Sequence, residues 1–495
     1  MYGTILIEMR LLLSMFRRRL SLRTTFVATL VLACLSVVFI MTVGSGDSVN
    51  YEEYLDTVKD HANNVIDYVG DKISYFGSSS SSGFAPSYVW ESNFYDEETI
   101  ERLLTRLDTP LFPENDVNKT TSNKAYKENL KLYRDALSQK IDEPQVEGLV
   151  RSDESSYNAG NAVPATILSL VMNKDLKELV ESIKQLEEKF NSKFNYPYTF
   201  LNDQDFSEEF KDTILHLLPK EREVRFGKID PEDWNIPDTV DKDQYKHGVE
   251  LLDSEGVSYA TKESYHNMCR FYSRTFYKHP LLKDIKYAWR LEPGVKFYCD
   301  IDYDVFKFME DQNKVYGFVL NLYDSPQSVK TLWRDTLDFL KENPEYINEQ
   351  GSFDWIKENM QKPVNFNITE GYSTCHFWTN FEITNLDFLR AEPYERYMDY
   401  LESKGGFYYE RWGDAPVRSL ALGLFADKSQ IHWFRDIGYN HFPYTNCPNS
   451  AKCDSKCTAG YFTPWDNLEI ENCQANWMKY SMNDEELNLY YKKSN

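Results

Sequence analysis

The sequence is poor in positive charge. Its 495 residues contain 55 Lys and Arg against 78 Asp and Glu, a formal net charge of −23. This deficit excludes a general nucleic-acid binder, which needs a cationic surface to displace the counterions of phosphates. Apolar residues make up 42% and aromatic residues 15% of the chain. That is enough to fill a core, so a wholly disordered protein is excluded too.

Several catalytic signatures are missing. No GxGxxG follows the first predicted strand and no GxxxxGK[ST] occurs anywhere, which removes the main support for the dinucleotide-binding and P-loop classes. GxSxG and HExxH are absent as well. Any chemistry must therefore come from other groupings of side chains.

Long uncharged runs are scarce, and one lies near the N-terminus. Residues 24–43 carry no charge and are long enough, at about 20 residues, to cross a bilayer as a helix. Arginines precede the run and none directly follows it, which places the N-terminus in the cytosol. A cleaved signal peptide is the alternative, but its apolar region spans only about 7–15 residues. We expect a cytosolic tail over 1–23, a membrane anchor over 24–43 and a lumenal remainder.

Cysteine is also sparse, with 8 in the chain. Cys34 lies within the predicted anchor, so an odd number remains for the lumenal part and at least one is unpaired. The segment from Cys447 to Cys473 has no CxxC spacing, which favours a disulfide-bridged loop over a zinc site. Sequons at Asn118 and Asn367 agree with a lumenal location.

The lumenal part divides at about residue 160. Residues 44–160 contain a Gly/Ser run and no sustained alternation of strands and helices, a texture typical of a flexible stem. Short helices are predicted within this stem over 95–107 and 124–137. Residues 161–495 are predicted to form the catalytic domain.

A β–α–β unit opens that domain. Residues 165–172 form an apolar run typical of a buried strand, 175–190 place leucines and Ile183 on one helical face, and 196–201 predict a second strand. The runs 315–322 and 420–425 are predicted to extend the same sheet. The default architecture is an α/β sheet with a nucleotide at the carboxyl ends of its strands.

Carboxylates follow a predicted strand over 287–291. Glu292 comes directly after it, and Asp300, Asp302 and Asp304 then alternate along the chain. Mg²⁺ and Mn²⁺ prefer such oxygen ligands, with phosphate and water completing the shell. Two candidate metal sites result, Glu292 and the Asp300/Asp302 pair. The competing interpretation is the solvated face of an edge strand.

Two other segments combine aromatic residues with carboxylates. Residues 375–382 end at Glu382 and residues 405–414 end at Asp414. Aromatic rings stack on sugar faces, and a carboxylate can attack an anomeric carbon; a buried aromatic core is the alternative. His441, which follows a strand-like run over 431–434, becomes a candidate ligand if folding brings it to Glu292.

From about residue 161 to residue 480 the chain resembles the fungal Golgi α-1,2-mannosyltransferases of glycosyltransferase family 15. The matching stretches are SYHNMCR at 264–270, YKHP at 277–280, WRLEP at 289–293, FYCD at 297–300, YD at 303–304, CHFW at 375–378, NFEI at 380–383, ERWGDAP at 410–416 and DIGY at 436–439, with His441.

The resemblance implies a type II Golgi membrane protein with a GT-A-like α/β catalytic domain, a Rossmann-type mixed sheet flanked by helices. It implies transfer of mannose from GDP-mannose to a mannosylated glycoprotein or oligosaccharide acceptor, with retained configuration and Mn²⁺ as the cofactor, in the elongation of O- and N-linked mannans. A metal is needed because the diphosphate leaving group meets an acidic protein.

The same resemblance implies roles for individual residues: metal ligation for Glu292 and His441, the nucleophile or the carboxylate supporting the reacting carbon for Glu382, donor contacts for Tyr265 and Arg270, and sugar contacts for Arg290 and Asp414. Two alternatives stay open. One is transfer of mannose phosphate from the same donor, and the other is a catalytically silent scaffold or lectin-like protein.

Overall fold

A computed structural model describes Tyr88, residues 90–152 and residues 163–491. They belong to a compact unit that runs from Pro86 to Asn495. The predicted cytosolic tail and membrane anchor lie outside the described residues. Within the part that is described, no helix is both long enough and apolar enough to span a membrane.

A central sheet organises the unit. The strands of the described chain are β1 (Ala165–Leu170), β2 (Tyr198–Asn202), β3 (Val224–Lys228), β4 (Tyr287–Arg290), β5 (Lys296–Phe297), β6 (Tyr316–Phe318), β7 (Asn321–Tyr323), β8 (Cys375–Phe377), β9 (Glu382–Asn385), β10 (Ile431–Trp433), β11 (Tyr439–His441) and β12 (Tyr444–Asn446). Seven of them form the order β10-β6-β9-β4-β1-β2-β3. All neighbours are parallel except β9, which is antiparallel to β4 and to β6. The remaining strands form two small sheets, with the spatial orders β12-β11-β5 and β7-β8.

Helices connect these strands. The longer ones are α1 (Glu97–Asp108), α2 (Lys119–Ser138), α3 (Leu176–Leu186), α4 (Glu208–Leu217), α5 (Lys242–Ser254), α6 (Glu263–Arg274), α7 (Leu332–Glu342), α8 (Glu392–Lys404) and α9 (Asp414–Phe425). Shorter α-helical turns are Ser192–Phe194, Pro231–Trp234, Val305–Asp311, Phe353–Ile356, Pro363–Ile368, Leu386–Arg390, Gly406–Tyr409, Gln474–Tyr480 and Asp484–Asn488. The prediction of a mixed α/β sheet flanked by helices is confirmed.

The predicted β–α–β unit is present. β1 and β2 are parallel, with Ile167 opposite Tyr198, and α3 lies between them in the chain. Leu179, Ile183 and Leu186 of α3 are fully buried, because their spacing puts them on one face of the helix. The helix ends earlier than predicted, since Glu187–Asn191 widens into a π-helical turn.

Two predicted strands differ from the structure. Residues 420–425 are not a strand but the end of α9, and every residue of that helix is buried. A helix buried on all sides shows the same continuous apolar run as a buried strand, which explains the wrong assignment. Residues 315–322 divide into β6, which joins the central sheet, and β7, which pairs with β8 instead.

The region predicted as a stem contributes to the core. The short helices predicted there are present as α1 and α2. Leu103 and Leu107 of α1, and Tyr133 and Leu137 of α2, are fully buried in the main hydrophobic cluster. The predicted boundary at residue 161 therefore does not coincide with the edge of the compact unit, which begins at Pro86.

Three disulfides join the described cysteines: Cys299–Cys453, Cys375–Cys473 and Cys447–Cys457. Cys269 is buried and unpaired, in line with the odd number in the sequence. The predicted bridged loop is thus closed on itself by one disulfide and tied by the others to Cys299, just after β5, and to Cys375 in β8. Gly438 allows this close approach, because a Cβ there would lie 2.3 Å from Sγ of Cys299.

Candidate active site

The carboxyl end of β4 carries the centre of the candidate site. Arg290, the last residue of β4, is buried. Its Nε donates to Oε1 of Glu292 at 2.9 Å and its Nη1 to Oδ2 of Asp414 at 2.6 Å. The guanidinium lies 3.7 Å from the ring centre of Tyr272 on α6. One arginine therefore fixes two carboxylates and is itself held by an aromatic face.

Glu292 lies opposite His441. A turn with Gly294 at φ +84°, a conformation that favours glycine, leads into β5. The pairing of β5 with β11 then places His441 close to Glu292. The Nε2 atom of His441 lies 3.6 Å from Oε2 of Glu292. Burial favours the neutral acid, but the charge of Arg290 and the proximity of His441 lower the pKa of Glu292 to about 2. The carboxylate is therefore ionised at neutral pH.

These two side chains fit a divalent cation. The 3.6 Å between Oε2 and Nε2 is too long for a good hydrogen bond. It fits two ligands of one ion, each about 2.1 Å from the metal. Two protein ligands leave room for phosphate oxygens and water, the shell that such ions keep in nucleotide sites. Glu292 and His441, which are 149 positions apart in the sequence, are thus brought together.

Asp414 begins α9. Besides Arg290 it accepts a hydrogen bond from Oγ1 of Thr379 at 2.8 Å, and it is buried. A carboxylate in the first turn is favoured by the helix dipole. Asp414 can accept from sugar hydroxyls only with the oxygen that these partners leave free.

Glu382 reaches the same edge because β9 is reversed. Ile383 pairs with Trp289 of β4, so the first residue of β9 falls beside the last residue of β4. Glu382 is buried, and its Oε2 lies 3.8 Å from Nε of Arg418. Burial raises the pKa of Glu382, while the charges of Arg418 and Arg290 act to lower it.

Tyr265 and Arg270 are placed differently, although both lie on α6. Arg270 is buried and its Nε donates to Glu402 at 2.8 Å, with Nη1 on the carbonyl of Asp233. Tyr265 instead contacts Arg411, whose Nη1 lies 3.4 Å from the phenol oxygen. Five positions along a helix turn the side chain by about 140°, so both cannot face one point. Of the pair, Tyr265 borders the site and Arg270 holds α6 against α8.

The alternative metal pair carries lysine partners. Asp300 lies 3.3 Å from Lys189, and Asp302 lies 2.7 Å from Lys193 and 3.1 Å from Lys452. Bound ammonium groups compete with a cation for the same oxygens. This pair has the character of a surface ion-pair network rather than of a metal site.

The aromatic residues of the two predicted segments have different environments. Trp412 is almost fully buried and its Nε1 donates to Glu410 at 2.8 Å, so it belongs to the core. Trp378 is half-buried, and its ring centre lies 5.0 Å from that of His441 and 5.2 Å from that of Tyr444. Only Trp378 borders the candidate site.

Some contributors were missed in the sequence. Arg411 pairs with Asp324 at 3.2 Å, and Arg418 and Thr379 hold Glu382 and Asp414. The signal for Arg418 was a single cation inside the apolar run of α9, because a buried charge needs a partner. Asp324 lies at the end of a short strand outside every matched stretch and gave no signal.

The central mixed sheet, with acidic residues at its carboxyl edge, is an α/β glycosyltransferase fold, as matching solved structures show. The GDP complex of the mannosyltransferase Ktr4p from S. cerevisiae matches with a TM-score of 0.77 and 57% identity, over 80% of this chain and 100% of that chain. Core-mannan synthase A (CmsA/Ktr4) from Aspergillus fumigatus, in its Mn/GDP form, matches with a TM-score of 0.67 and 44% identity, over 70% and 93%.

Sequence comparison gives the family. The chain belongs to the glycolipid 2-alpha-mannosyltransferase family, whose model matches residues 118–482. The probable mannosyltransferase KTR4 of Saccharomyces cerevisiae is 54% identical over 89% of this chain and 93% of its own length. The alpha-1,2 mannosyltransferase KTR1 of the same yeast is 43% identical over 59% and 72%. The chain is therefore a glycosyltransferase, as its sequence predicts.

Proposed function

We propose that this enzyme transfers mannose from GDP-mannose to a mannoside acceptor in α-1,2 linkage, with retained configuration. The observation that carries the proposal is the grouping of Glu292 and His441 beside Arg290, Asp414 and Glu382 at one edge of the sheet. The donor is supported by the GDP-bound form of the Ktr4p relative. The linkage is supported by the relative named as an alpha-1,2 mannosyltransferase.

Mn²⁺ is the proposed cofactor, supported by the Mn/GDP form of the Aspergillus relative. Glu292 and His441 would hold it, and the ion would neutralise charge on the departing diphosphate. Arg290 keeps the Glu292 carboxylate oriented and ionised. Without these residues an acidic protein would repel the donor.

Glu382 acts on the sugar. Retention of configuration at the anomeric carbon requires either two successive displacements or a front-face route. An ionised carboxylate can act in either route. In the first route, a Glu382 oxygen bonds to the anomeric carbon while the bond from that carbon to the diphosphate oxygen breaks. The acceptor oxygen then bonds to that carbon, the bond from the carbon to Glu382 breaks, and the hydroxyl proton passes to the departing diphosphate. In the second route, the carboxylate stabilises positive charge on the same carbon.

The enzyme acts, in this proposal, in the Golgi lumen as a type II membrane protein anchored by residues 24–43. The arginines before that segment and the two sequons support this orientation. Three disulfides in the described residues support an oxidising compartment. The acceptor is then a mannosylated glycoprotein or oligosaccharide during elongation of O- and N-linked mannans.

The test is a transfer assay with the detergent-solubilised full chain, GDP-mannose and methyl α-mannoside, with Mn²⁺ or a chelator. We expect a neutral disaccharide that disappears with chelation. Glu292→Ala should reduce activity by at least a hundredfold because a metal ligand is lost. Asp300→Ala is the matched control and should stay within twofold of the wild type.

Other outcomes would contradict the proposal. A phosphodiester product would identify a mannosylphosphate transferase instead. GDP-mannose binding without turnover on any mannoside would identify a silent lectin-like protein. If Asp300→Ala and not Glu292→Ala removed the metal dependence, the Asp300/Asp302 pair would be the metal site.

A further inference from the structure

One exposed aromatic residue follows the candidate metal ligand His441 in the chain, and a second packs against it. Phe442 follows His441 in the turn between β11 and β12, and Trp465 precedes the turn Asp466–Glu471. Their side chains are 66% and 46% exposed. The ring centres are 5.2 Å apart with the planes at 78°, so one ring presents its edge to the face of the other.

Packing does not account for this exposure. Neighbouring aromatic residues in the chain are better covered: Tyr444 is half-buried against Trp378 and Phe462, and Phe462 is fully buried against Tyr133. Phe442 and Trp465 instead contact each other and remain open to the solvent, with Phe442 on the hairpin that carries His441. Exposed apolar rings of this size, on the hairpin that carries a proposed metal ligand, are typical of a surface that binds a ligand.

We propose that Phe442 and Trp465 form an outer acceptor subsite, which holds a sugar of the acceptor beyond the one that receives mannose. This inference rests on the proposed mannosyltransferase function. The C–H faces of a mannose ring stack on aromatic rings, and the hydroxyls need polar partners around them. Asp466 and Asn467, both exposed, directly follow Trp465 and supply carboxylate and amide groups at the edge of the platform.

The charge around the platform favours a neutral glycan over a membrane surface. A patch that binds anionic lipid carries free lysines or arginines. Here the residue after Trp465 is an aspartate, and Lys362, near this loop, is paired with Glu471 at 2.5 Å. The protein as a whole carries −23. A neutral oligomannoside meets no such repulsion.

The platform is tested by comparing a short and a long acceptor. Trp465→Ala should raise the KM for α-1,2-mannotriose about tenfold, the loss of one stacking contact, with the KM for methyl α-mannoside and for GDP-mannose within twofold. Trp465→Phe keeps a ring and should restore most of the preference for mannotriose. Phe94→Ala, which removes a ring that is 91% exposed elsewhere, is the matched control and should change none of these values.

Equal increases of KM for both acceptors, or an increase for GDP-mannose as large as that for mannotriose, would overturn the proposal. Loss of binding to phosphatidylserine vesicles, with unchanged acceptor KM, would assign the rings to a membrane contact instead. If the wild type transfers no mannose, the proposed function fails on its own. The subsite is then decided by calorimetric titration with mannotriose, which must bind the wild type at least tenfold more tightly than Trp465→Ala.

Discussion

Arg418 governs the proposed reacting carboxylate. It is fully buried in α9, between the rings of Phe276 and Tyr394 at 5.3 and 5.4 Å, and its Nη2 donates to the carbonyl of Tyr272 at 2.7 Å. Its Nε faces Glu382 at 3.8 Å. We treat Arg418 as a positioning residue, because its contacts are with Glu382 and the surrounding core, and its charge opposes the rise in the pKa of Glu382 that burial causes.

Replacing this charge should move the pH dependence of the enzyme. Burial raises the pKa of Glu382 and Arg418 lowers it, so Arg418→Gln raises it further. Activity depends on the ionised form, so the acid limb of the kcat/KM profile should shift upward by roughly one pH unit or more. Arg418→Lys keeps the charge and should shift it less. An unmoved acid limb in a folded Arg418→Gln variant, as judged by retained GDP binding, would contradict this role.

Among the secondary-structure elements, β9 and α2 contribute most to positioning the candidate site. β9 is the reversed strand of the central sheet, and this reversal puts its beginning, with Glu382, at the edge where β4 ends. α2 lies far from the site in sequence, yet Tyr133 packs on Phe462, and its hydroxyl donates to the carbonyl of Thr445 in β12 at 3.3 Å. α2 therefore supports the hairpin that carries His441.

Tyr133→Ala tests whether α2 is part of the catalytic unit. Removing a buried aromatic side chain should lower the free energy of unfolding by about 3–5 kcal/mol. Lys131→Ala, an exposed position on the same helix, should change it by less than about 0.5 kcal/mol. Chemical denaturation followed by tryptophan fluorescence gives both values. Equal stability of the two variants would mean that α2 belongs to the predicted stem and not to the catalytic unit.

Local sequence patterns predict the secondary-structure elements well, but they do not predict which elements contact one another. The β–α–β unit and both N-terminal helices were found because their periodicity lies in the sequence of each element. The packing of α2 was missed because its partners, such as Gln361 and Thr445, lie 232 and 312 positions away. α9 was missed because a fully buried helix has no polar face to reveal its period.

The candidate site was predictable mainly through the resemblance. Residue types and spacing alone could not decide whether Glu292 or the Asp300/Asp302 pair is the metal site. The deciding feature is the lysines that folding brings to Asp300 and Asp302. Arg270 shows a limit of reasoning from the resemblance itself. A residue inside a matched stretch can serve the packing of a helix, here through Glu402, and its sequence motif alone does not show this.

At the scale of the whole molecule, disulfides tie distant parts together. Cys299–Cys453 and Cys375–Cys473 span 154 and 98 positions, whereas Cys447–Cys457 spans 10. A crosslink restricts the unfolded chain more when it closes a longer loop. The two long links join the C-terminal segment to Cys299, just after β5, and to β8.

When the disulfides are removed one at a time, the loss of unfolding free energy should increase with the length of the loop that each one closes. Replacing both cysteines of Cys375–Cys473 by alanine should lower the free energy of unfolding by about 4–5 kcal/mol, against about 2–3 kcal/mol for the Cys447–Cys457 pair. Denaturant titration of the two double variants measures the difference. The reverse order would mean that local packing, and not chain entropy, dominates.

The reversed strand also has a consequence for the synthesis of the protein. β1 to β4 leave the ribosome first and can pair among themselves, since chains fold as they emerge. Every proposed contact to the reacting sugar other than Arg290 still has to wait, because β9, α9 and β11 are made later. A nascent chain with β1 to β4 complete is therefore inert until its last hundred or so residues appear. Newly made enzyme should not consume donor before its structure is finished.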